Sequence, residues 1–257
     1  MGVILGIDIG GSTTKIVGLR TDGSVISMLR VRAEDQVTSL YGAFGNYLKS
    51  NGLTLKDVCR VVLTGVGASF VEGDIFGLPT CRVDEFQASG AGALALSGQD
   101  SGVVVTMGTG TAFLWAEAGK QVQHLCGAGI GGGTLGGLCH KLVGMERFGQ
   151  IKKLAAQGNL NHVDLTIKDI TPDPAATLDP DMHRVLQSSG TMTVLACPSC
   201  RSQTVILTGS MTTLDQAGPN FAAFEKLYGI RYIIPENATF ATAIGAGLCS
   251  LRQKSVK

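Results

Sequence analysis

No uninterrupted apolar segment in this chain approaches the roughly 18 residues needed to cross a bilayer, so a membrane-spanning helix does not organise it. Neither sign of charge dominates. With 21 Lys and Arg against 20 Asp and Glu, the formal net charge is +1, which supplies no basic field for nucleic acid and no acidic tail. Proline is scarce, at seven residues against 36 glycines without a fixed period, which excludes collagen and argues against disorder. The cysteines, Cys59, Cys81, Cys126, Cys139, Cys197, Cys200 and Cys249, are odd in number and scattered among apolar residues, and no signal-peptide pattern precedes the first strand. Reduced thiols in a cytoplasmic protein are expected. Cys197-Pro198-Ser199-Cys200 is spaced like a redox or metal pair, but a four-cysteine zinc site needs a second pair and none exists; we read it as a helix end. The P-loop is also missing, because no Gly-Lys-Ser/Thr opens a helix, and no Gly-x-Gly-x-x-Gly follows the first strand. These absences leave a small molecule as the expected partner, with no nucleic acid and no membrane.

What is present is concentrated in the first fifteen residues. The run Val3-Ile4-Leu5-Gly6-Ile7 feeds into Asp8-Ile9-Gly10-Gly11-Ser12-Thr13-Thr14-Lys15. The β-branched run reads as a buried strand, the glycines as a turn where backbone approaches a ligand, and Ile16-Val17-Gly18-Leu19 as the returning strand. Such a turn aims main-chain N–H groups and the hydroxyls of Ser12, Thr13 and Thr14 at phosphate oxygens, with Lys15 adding a point charge. Asp8 suits a carboxylate that holds hydrated Mg²⁺.

A length of 257 residues with 44% hydrophobic content allows one large domain or two of moderate size. The opening hairpin continues into a third antiparallel strand at residues 25–31, and residues 36–51 carry apolar positions at helical spacing. Residues 58–64 read as a short buried strand, residues 68–76 as helix or loop, and the small-residue tract 88–96 as a closely packed helix. The pattern then restarts: strand 102–107, the turn Gly108-Thr109-Gly110-Thr111, strand 112–116. Two such hairpins imply two related lobes with a nucleotide between them. A third glycine loop at 127–137 leads to a helix from Leu138, whose N-terminus could bind anionic oxygens. A polar stretch spans 164–181, strand 205–208 ends at Gly209-Ser210, and the last helix, 241–248, is lined with small residues.

In that order, the Asp8–Lys15 motif, Met107-Gly108-Thr109-Gly110-Thr111, Leu207-Thr208-Gly209-Ser210 and the final helix resemble the actin/Hsp70/sugar-kinase superfamily. Gly127-Ala128-Gly129-Ile130-Gly131-Gly132-Gly133-Thr134-Leu135, followed by Gln157-Gly158-Asn159 and Val163-Asp164-Leu165-Thr166-Ile167-Lys168-Asp169-Ile170, is similar to the type II pantothenate kinases. The resemblance implies an α/β fold of two ribonuclease H-like lobes, residues 1–100 and 101–257, around a nucleotide cleft. It implies a homodimer that uses ATP and Mg²⁺ to phosphorylate the primary hydroxyl of pantothenate, the first step of coenzyme A biosynthesis. Residue by residue, Asp8, Gly10, Gly11, Ser12, Thr13, Thr14 and Lys15 would hold the phosphates and metal. Thr109, Gly110, Gly131, Gly132, Gly133, Thr134, Leu135, Phe148 and Ser210 would contact the nucleotide, with Ser210 beside the adenosine. Glu85 falls at the family's catalytic glutamate, where it would accept the proton of the attacking hydroxyl alongside Asp8. Glu85, Thr109, His124 and Ala128 would meet the substrate.

Two departures from the family stand out. His124 occupies the position of an arginine, and neutral histidine cannot reproduce a bidentate guanidinium. After residue 182 the chain passes almost at once to Val185-Leu186-Gln187, where relatives carry a further helix. Three other readings stay open: a kinase of the same fold for an amino sugar or small polyol, a non-catalytic nucleotide-binding regulator, and an ATPase that activates a reductase through an iron–sulfur cluster, for which Cys126 and Cys139 are the candidate ligands.

Overall fold

Every residue of β1 (Val3–Ile9) is buried, because both faces of its sheet are covered, and this explains a continuous apolar run instead of a polar alternation. The computed structural model describes residues 2–159, 162, 169, 187–215 and 217–252. The Val-Asp-Leu segment at 163–168, the polar stretch at 164–181 (Asp169 apart) and the short connection at 182–186 lie outside the described residues.

Strand β1 pairs antiparallel with β2 (Thr13–Leu19), and β2 with β3 (Val25–Arg32). Helix α1 (Gln36–Ser50) follows, begun by Asp35, whose carboxylate accepts from the Thr38 amide at 2.7 Å. Strands β4 (Val58–Thr64) and β5 (Thr80–Arg82) then run parallel to β1, giving the order β3-β2-β1-β4-β5. Helix α2 (Glu85–Ser97) starts at the Asp84 cap and stops at Gly98, whose φ is 66°.

The same plan repeats. Strands β6 (Ser101–Met107), β7 (Thr111–Glu117) and β8 (Gln123–Ala128) form an antiparallel meander, and α3 (Gly132–Val143), α4 (Phe148–Gln157) and α5 (Gln187–Ser199) follow. Strand β9 (Thr204–Thr208), helix α6 (Ala217–Tyr228) and strand β10 (Arg231–Ile233) precede the last helix, α7 (Ala241–Arg252). The second sheet has the order β10-β9-β6-β7-β8, with β9 and β10 parallel to β6: the topology of the first sheet, used twice. The expectation of two related α/β lobes is met.

Several local expectations needed correcting. The three-residue edge strands β5 and β10 carry too few residues to show a period, and α4 and α6 went unrecognised. The third glycine stretch is not one loop. Gly127 and Ala128 end β8, and α3 begins at Gly132, six residues before Leu138.

The layers run α1, first sheet, the pair α7 and α2, second sheet, then α5 and α6. Val61, Leu63, Ile7 and Ile9 pack toward α1, while Ile4, Val17 and Val62 pack toward α7. In the second sheet, Val103, Val105 and Leu207 face α5, while Val104, Leu114 and Ile206 face α2. Helices α2 and α7 cross in backbone contact between the sheets. A methyl group at Gly92 would overlap the Ala241 carbonyl oxygen, and one at Gly245 would overlap the Ala88 carbonyl oxygen. Both overlaps involve main chain on a buried helix, so no rotamer change relieves them.

Gly245→Ala is therefore expected to destabilise the protein by about 3 kcal/mol, lowering Tm by roughly 6–12 °C for a chain of this size. Gly42→Ala, in α1 with open space around the added methyl, should be neutral or stabilise by up to about 1 kcal/mol. Thermal denaturation of the two variants checks the contrast; equal effects would mean the crossing is not tight.

Candidate active site between the two sheets

Strand register puts three polar side chains in a row on the face of the first sheet that looks toward α7. Asp8 pairs with Lys15 on one side and with Thr64 on the other. All three are at least nine-tenths buried, and Lys15 Nζ donates to Asp8 Oδ2 at 3.0 Å. A buried ion pair needs close geometry to offset desolvation, and removing one member strands the other. The other oxygen, Asp8 Oδ1, lies over the start of the turn after β4. A methyl at Gly65 would stand 2.7 Å from it, and Gly65 has φ 88°, so glycine is required twice over. Thr14 falls one residue off this register, on the opposite face with Ile16, and its buried hydroxyl has no partner among the described residues. Structure thus separates Thr14 from the polar row that contains Asp8 and Lys15.

The turn between β1 and β2 is closed by the Gly10 amide donating to the Thr13 carbonyl at 3.0 Å, and Gly11 and Ser12 are exposed at its tip. It faces the equivalent turn of the second sheet. A methyl at Gly11 would sit 3.7 Å from Thr109 Oγ1, and in that second turn the Gly108 amide donates to the Gly110 carbonyl at 2.9 Å. Methyls at Gly108 and Gly129 would meet nothing within 4 Å, and neither residue has a positive φ. Neither protein packing nor φ calls for glycine there, which fits backbone that a bound nucleotide approaches.

The start of α3 is bound to this turn by its own amides. Gly132 N–H donates to the Gly108 carbonyl at 2.8 Å and Gly133 N–H to the Thr109 carbonyl at 2.9 Å. Thr111 Oγ1 donates to the Ile130 carbonyl at 2.8 Å, and Thr134 Oγ1 to the Gly129 carbonyl at 2.9 Å. The expected anion-binding helix end at Leu138 is corrected on this point. The true N-terminus lies at Gly132, and its first two amides are already taken by turn carbonyls that cap the helix. Leu135 N–H is likewise used, by the Gly131 carbonyl at 3.0 Å.

Ser210 follows Gly209, whose φ of 93° matches Gly65 in the first sheet. Its short 3₁₀ turn, Ser210–Thr213, packs onto α3, with Met211 Sδ 3.5 Å from where a methyl on Gly132 would be. Lys152 Nζ meets Asp215 Oδ1 at 3.0 Å, which ties α4 to the same region, and Phe148 lies on the face of α4 that carries Lys152. Ala128 ends β8 opposite Thr111.

Glu85 is the first residue of α2, held there because Asp84 accepts the Gln87 amide at 3.0 Å. Burial pushes its carboxyl above the ordinary 4.5; the Asp8 carboxylate adds to the rise, Lys15 opposes it, and Asp84 adds a little more. His124, from β8 of the other sheet, stacks on Phe86 with ring centroids 4.8 Å apart and planes 4° from parallel. The expected arginine position thus comes to the residue next to Glu85.

Sequence reasoning missed Phe86, Gly65 and the buried Thr64. A signal for the last existed: Val-Val-Leu-Thr-Gly at 61–65 and Val-Ile-Leu-Thr-Gly at 205–209 are near-identical strand ends in the two sheets. Among the described residues no group of three or more His, Cys, Asp and Glu could hold a metal, so a fully protein-built cage is absent there. One carboxylate with phosphate and water ligands is what Mg²⁺ accepts.

A family model described as the BadF/BadG/BcrA/BcrD ATPase family matches residues 5–140, and a model described as Fumble matches residues 102–206. A type II pantothenate kinase from Staphylococcus epidermidis is 28% identical over 183 residues, 69% of this chain and 64% of that protein, so the match spans less than two thirds of the relative's own length. Among solved structures, the Acidaminococcus fermentans (R)-2-hydroxyglutaryl-CoA dehydratase component A aligns with a TM-score of 0.71 at 15% identity, over 99% of this chain and all of its own. A ROK family glucokinase from Streptomyces griseus, in complex with glucose and AMPPNP, aligns with a TM-score of 0.64 at 14% identity, over 96% of this chain and 99% of its own. At these identities the structures show a shared fold.

A raised carboxyl costs the native state stability once it ionises. Glu85→Gln without ligand should therefore raise Tm above neutral pH, and the gain should vanish as pH falls to 4.5 and below, where Glu85 is protonated in both states. Thermal melts across pH check this; a gain that persisted in acid would assign the effect to packing.

Proposed function

The chain belongs to the BadF/BadG/BcrA/BcrD ATPase family, and from that premise we propose that it binds MgATP between its two sheets and phosphorylates the primary hydroxyl of pantothenate. The observation that carries this reading is a single placement: a half-buried carboxylate, Glu85, in the field of the buried Asp8–Lys15 pair, where two glycine turns meet.

The bound MgATP supplies the transferable phosphoryl group and a cation that neutralises developing charge. Asp8 would hold that cation. With the cation at Asp8, the Lys15 ammonium would be free to meet phosphate oxygens, and the amides of Gly11, Ser12 and Thr13 with the Ser12 and Thr13 hydroxyls would add donors. Thr109, Gly110 and the Gly131–Gly132–Gly133 backbone form the opposite wall, with Thr134, Leu135, Phe148 and Ser210 toward the adenosine side. Glu85 takes the proton from the substrate hydroxyl; its raised carboxyl is a better proton acceptor than an ordinary glutamate. His124 and Ala128 line the far end of the substrate path.

A second reading is an ATPase that drives a partner protein. It is favoured by α3, which buries none of its residues and leaves Leu138, Leu142 and Val143 exposed. ADP formation with MgATP alone, unchanged by any small alcohol, selects it.

A coupled ADP assay with pantothenate and with N-acetylglucosamine separates the possibilities. Turnover with pantothenate alone is expected, and turnover only with the sugar would move the assignment to a sugar kinase. Glu85→Gln should keep nucleotide affinity and lose roughly 10²–10⁴-fold in kcat; full activity in that variant would remove Glu85 from the chemistry. Its acid limb in the wild type should lie above 4.5 and disappear in the variant. His124→Arg should lower KM for pantothenate while leaving that for ATP unchanged, because only the substrate end of the cleft is altered. Equal shifts in both constants would place His124 elsewhere.

A further inference from the structure

Thr64 is 1% exposed, and its hydroxyl has no hydrogen-bond partner among the described residues. A desolvated hydroxyl without a partner weakens the fold that contains it and has bonding capacity to offer a ligand. Thr14 and Thr208 share that state, but only Thr64 stands beside a carboxylate. Along β4, Val61 and Leu63 face α1 and Val62 faces α7, so Thr64 shares the α7 side with Val62. Along β1 the same alternation puts Asp8 on that side with Ile4. Asp8 and Thr64 are register partners on adjacent parallel strands, whose backbones run about 4.8 Å apart. Asp8 Oδ2 is taken by Lys15, whereas Oδ1 lies over Gly65, the residue that follows Thr64. Thr64 Oγ1 makes no hydrogen bond to the Asp8 carboxylate, and a water held at that carboxylate would give the hydroxyl the partner it lacks.

We propose that Thr64 is a positioning residue for the divalent cation at Asp8, its hydroxyl hydrogen-bonding a water of the cation's inner shell. The inference rests on the reading that this cleft binds a nucleotide with a divalent cation. Mg²⁺ keeps several waters when a protein offers it one carboxylate, and those waters need oriented partners if the ion is to hold one position. Groups that orient the ligands of a metal change its affinity by about 10–100-fold. The equivalent Thr208 has Thr106 as its register partner, so the second sheet repeats the hydroxyl without the carboxylate.

Mn²⁺ titrated into the full chain with a non-hydrolysable ATP analogue, free Mn²⁺ being followed by electron paramagnetic resonance, tests the assignment. Thr64→Val should weaken Mn²⁺ binding about tenfold or more without lowering the Tm of the ligand-free protein, because a valine fills the space and removes the unpartnered hydroxyl. Thr64→Ser should restore Mn²⁺ binding, and Thr208→Val should leave it at the wild-type value. Wild-type Mn²⁺ affinity in Thr64→Val overturns the inference alone. So does a lower Tm in Thr64→Val that Thr64→Ser does not share, which would make the hydroxyl a structural group, or equal losses in Thr64→Val and Thr208→Val. A wild-type protein that takes up no Mn²⁺ with the analogue overturns the nucleotide reading and this inference together.

Discussion

The crossing of α2 and α7 is the constraint on which the rest of the molecule depends. Two helices in main-chain contact keep the two sheets close enough that each sheet presses its inner face on one of them. Glycine is needed at Gly92 and Gly245 because the facing atoms are carbonyl oxygens that cannot move aside. A third glycine, Gly6, lets β1 approach α7 in the same way, since a methyl there would overlap the Ala243 carbonyl. Widening this seam would separate Gly11 from Thr109 and withdraw Glu85, at the α2 N-terminus, from the Asp8–Lys15 pair. The geometry of the cleft is thus set by packing some distance from the reacting groups.

Duplication of the sheet topology has not duplicated the chemistry. At the row where the first sheet has Lys15, Asp8 and Thr64, the second has Ala112, Thr106 and Thr208. In this row, charge is therefore confined to the first sheet. This asymmetry gives the cleft a direction. The proposed reading would set a cation and phosphate oxygens against the first sheet and the uncharged part of a nucleotide toward the second, where α3 and the Ser210 turn pack together. Function is carried by these few side chains and not by the fold, which other proteins use for other ends.

Lys15 and Glu85 act on Asp8's surroundings in opposite senses. Lys15 balances a carboxylate that would be costly to bury alone, and a neighbouring carboxylate raises Glu85. On the reading proposed above, a divalent cation at Asp8 would change both at once, since it would compete with Lys15 for that carboxylate and add positive charge near Glu85. That reading would couple nucleotide binding to the protonation of Glu85 through one side chain. The stacked Phe86 and His124 connect the residue next to Glu85 to the second sheet, so relative movement of the lobes would be felt at the same place.

The amino-acid sequence by itself determined the elements whose signal is local: β1 and β2 around the Gly10-Gly11 turn, the repeat of that hairpin at residues 102–117, α1 with its apolar spacing, and the small-residue helices. It also singled out Asp8 and Lys15, because charged residues where an apolar strand meets a glycine turn are conspicuous, whereas Glu85 was marked only by the family resemblance. Tertiary structure decided what depends on neighbours distant in the chain. Strands β5 and β10 exist only because β4 and β9 offer an edge, since three residues carry no period of their own. The start of α3 at Gly132 was hidden because glycine is a poor helix former, and only carbonyls from Gly108 and Thr109 capping its amides make that start favourable. The face on which Thr14 and Thr64 lie follows from strand register, which is set by pairing and core packing and not by residue type. Thr64 and Thr208 stand in near-identical pentapeptides, yet one neighbours a carboxylate and the other does not, because side-chain chemistry in a sheet is fixed by which strand comes alongside.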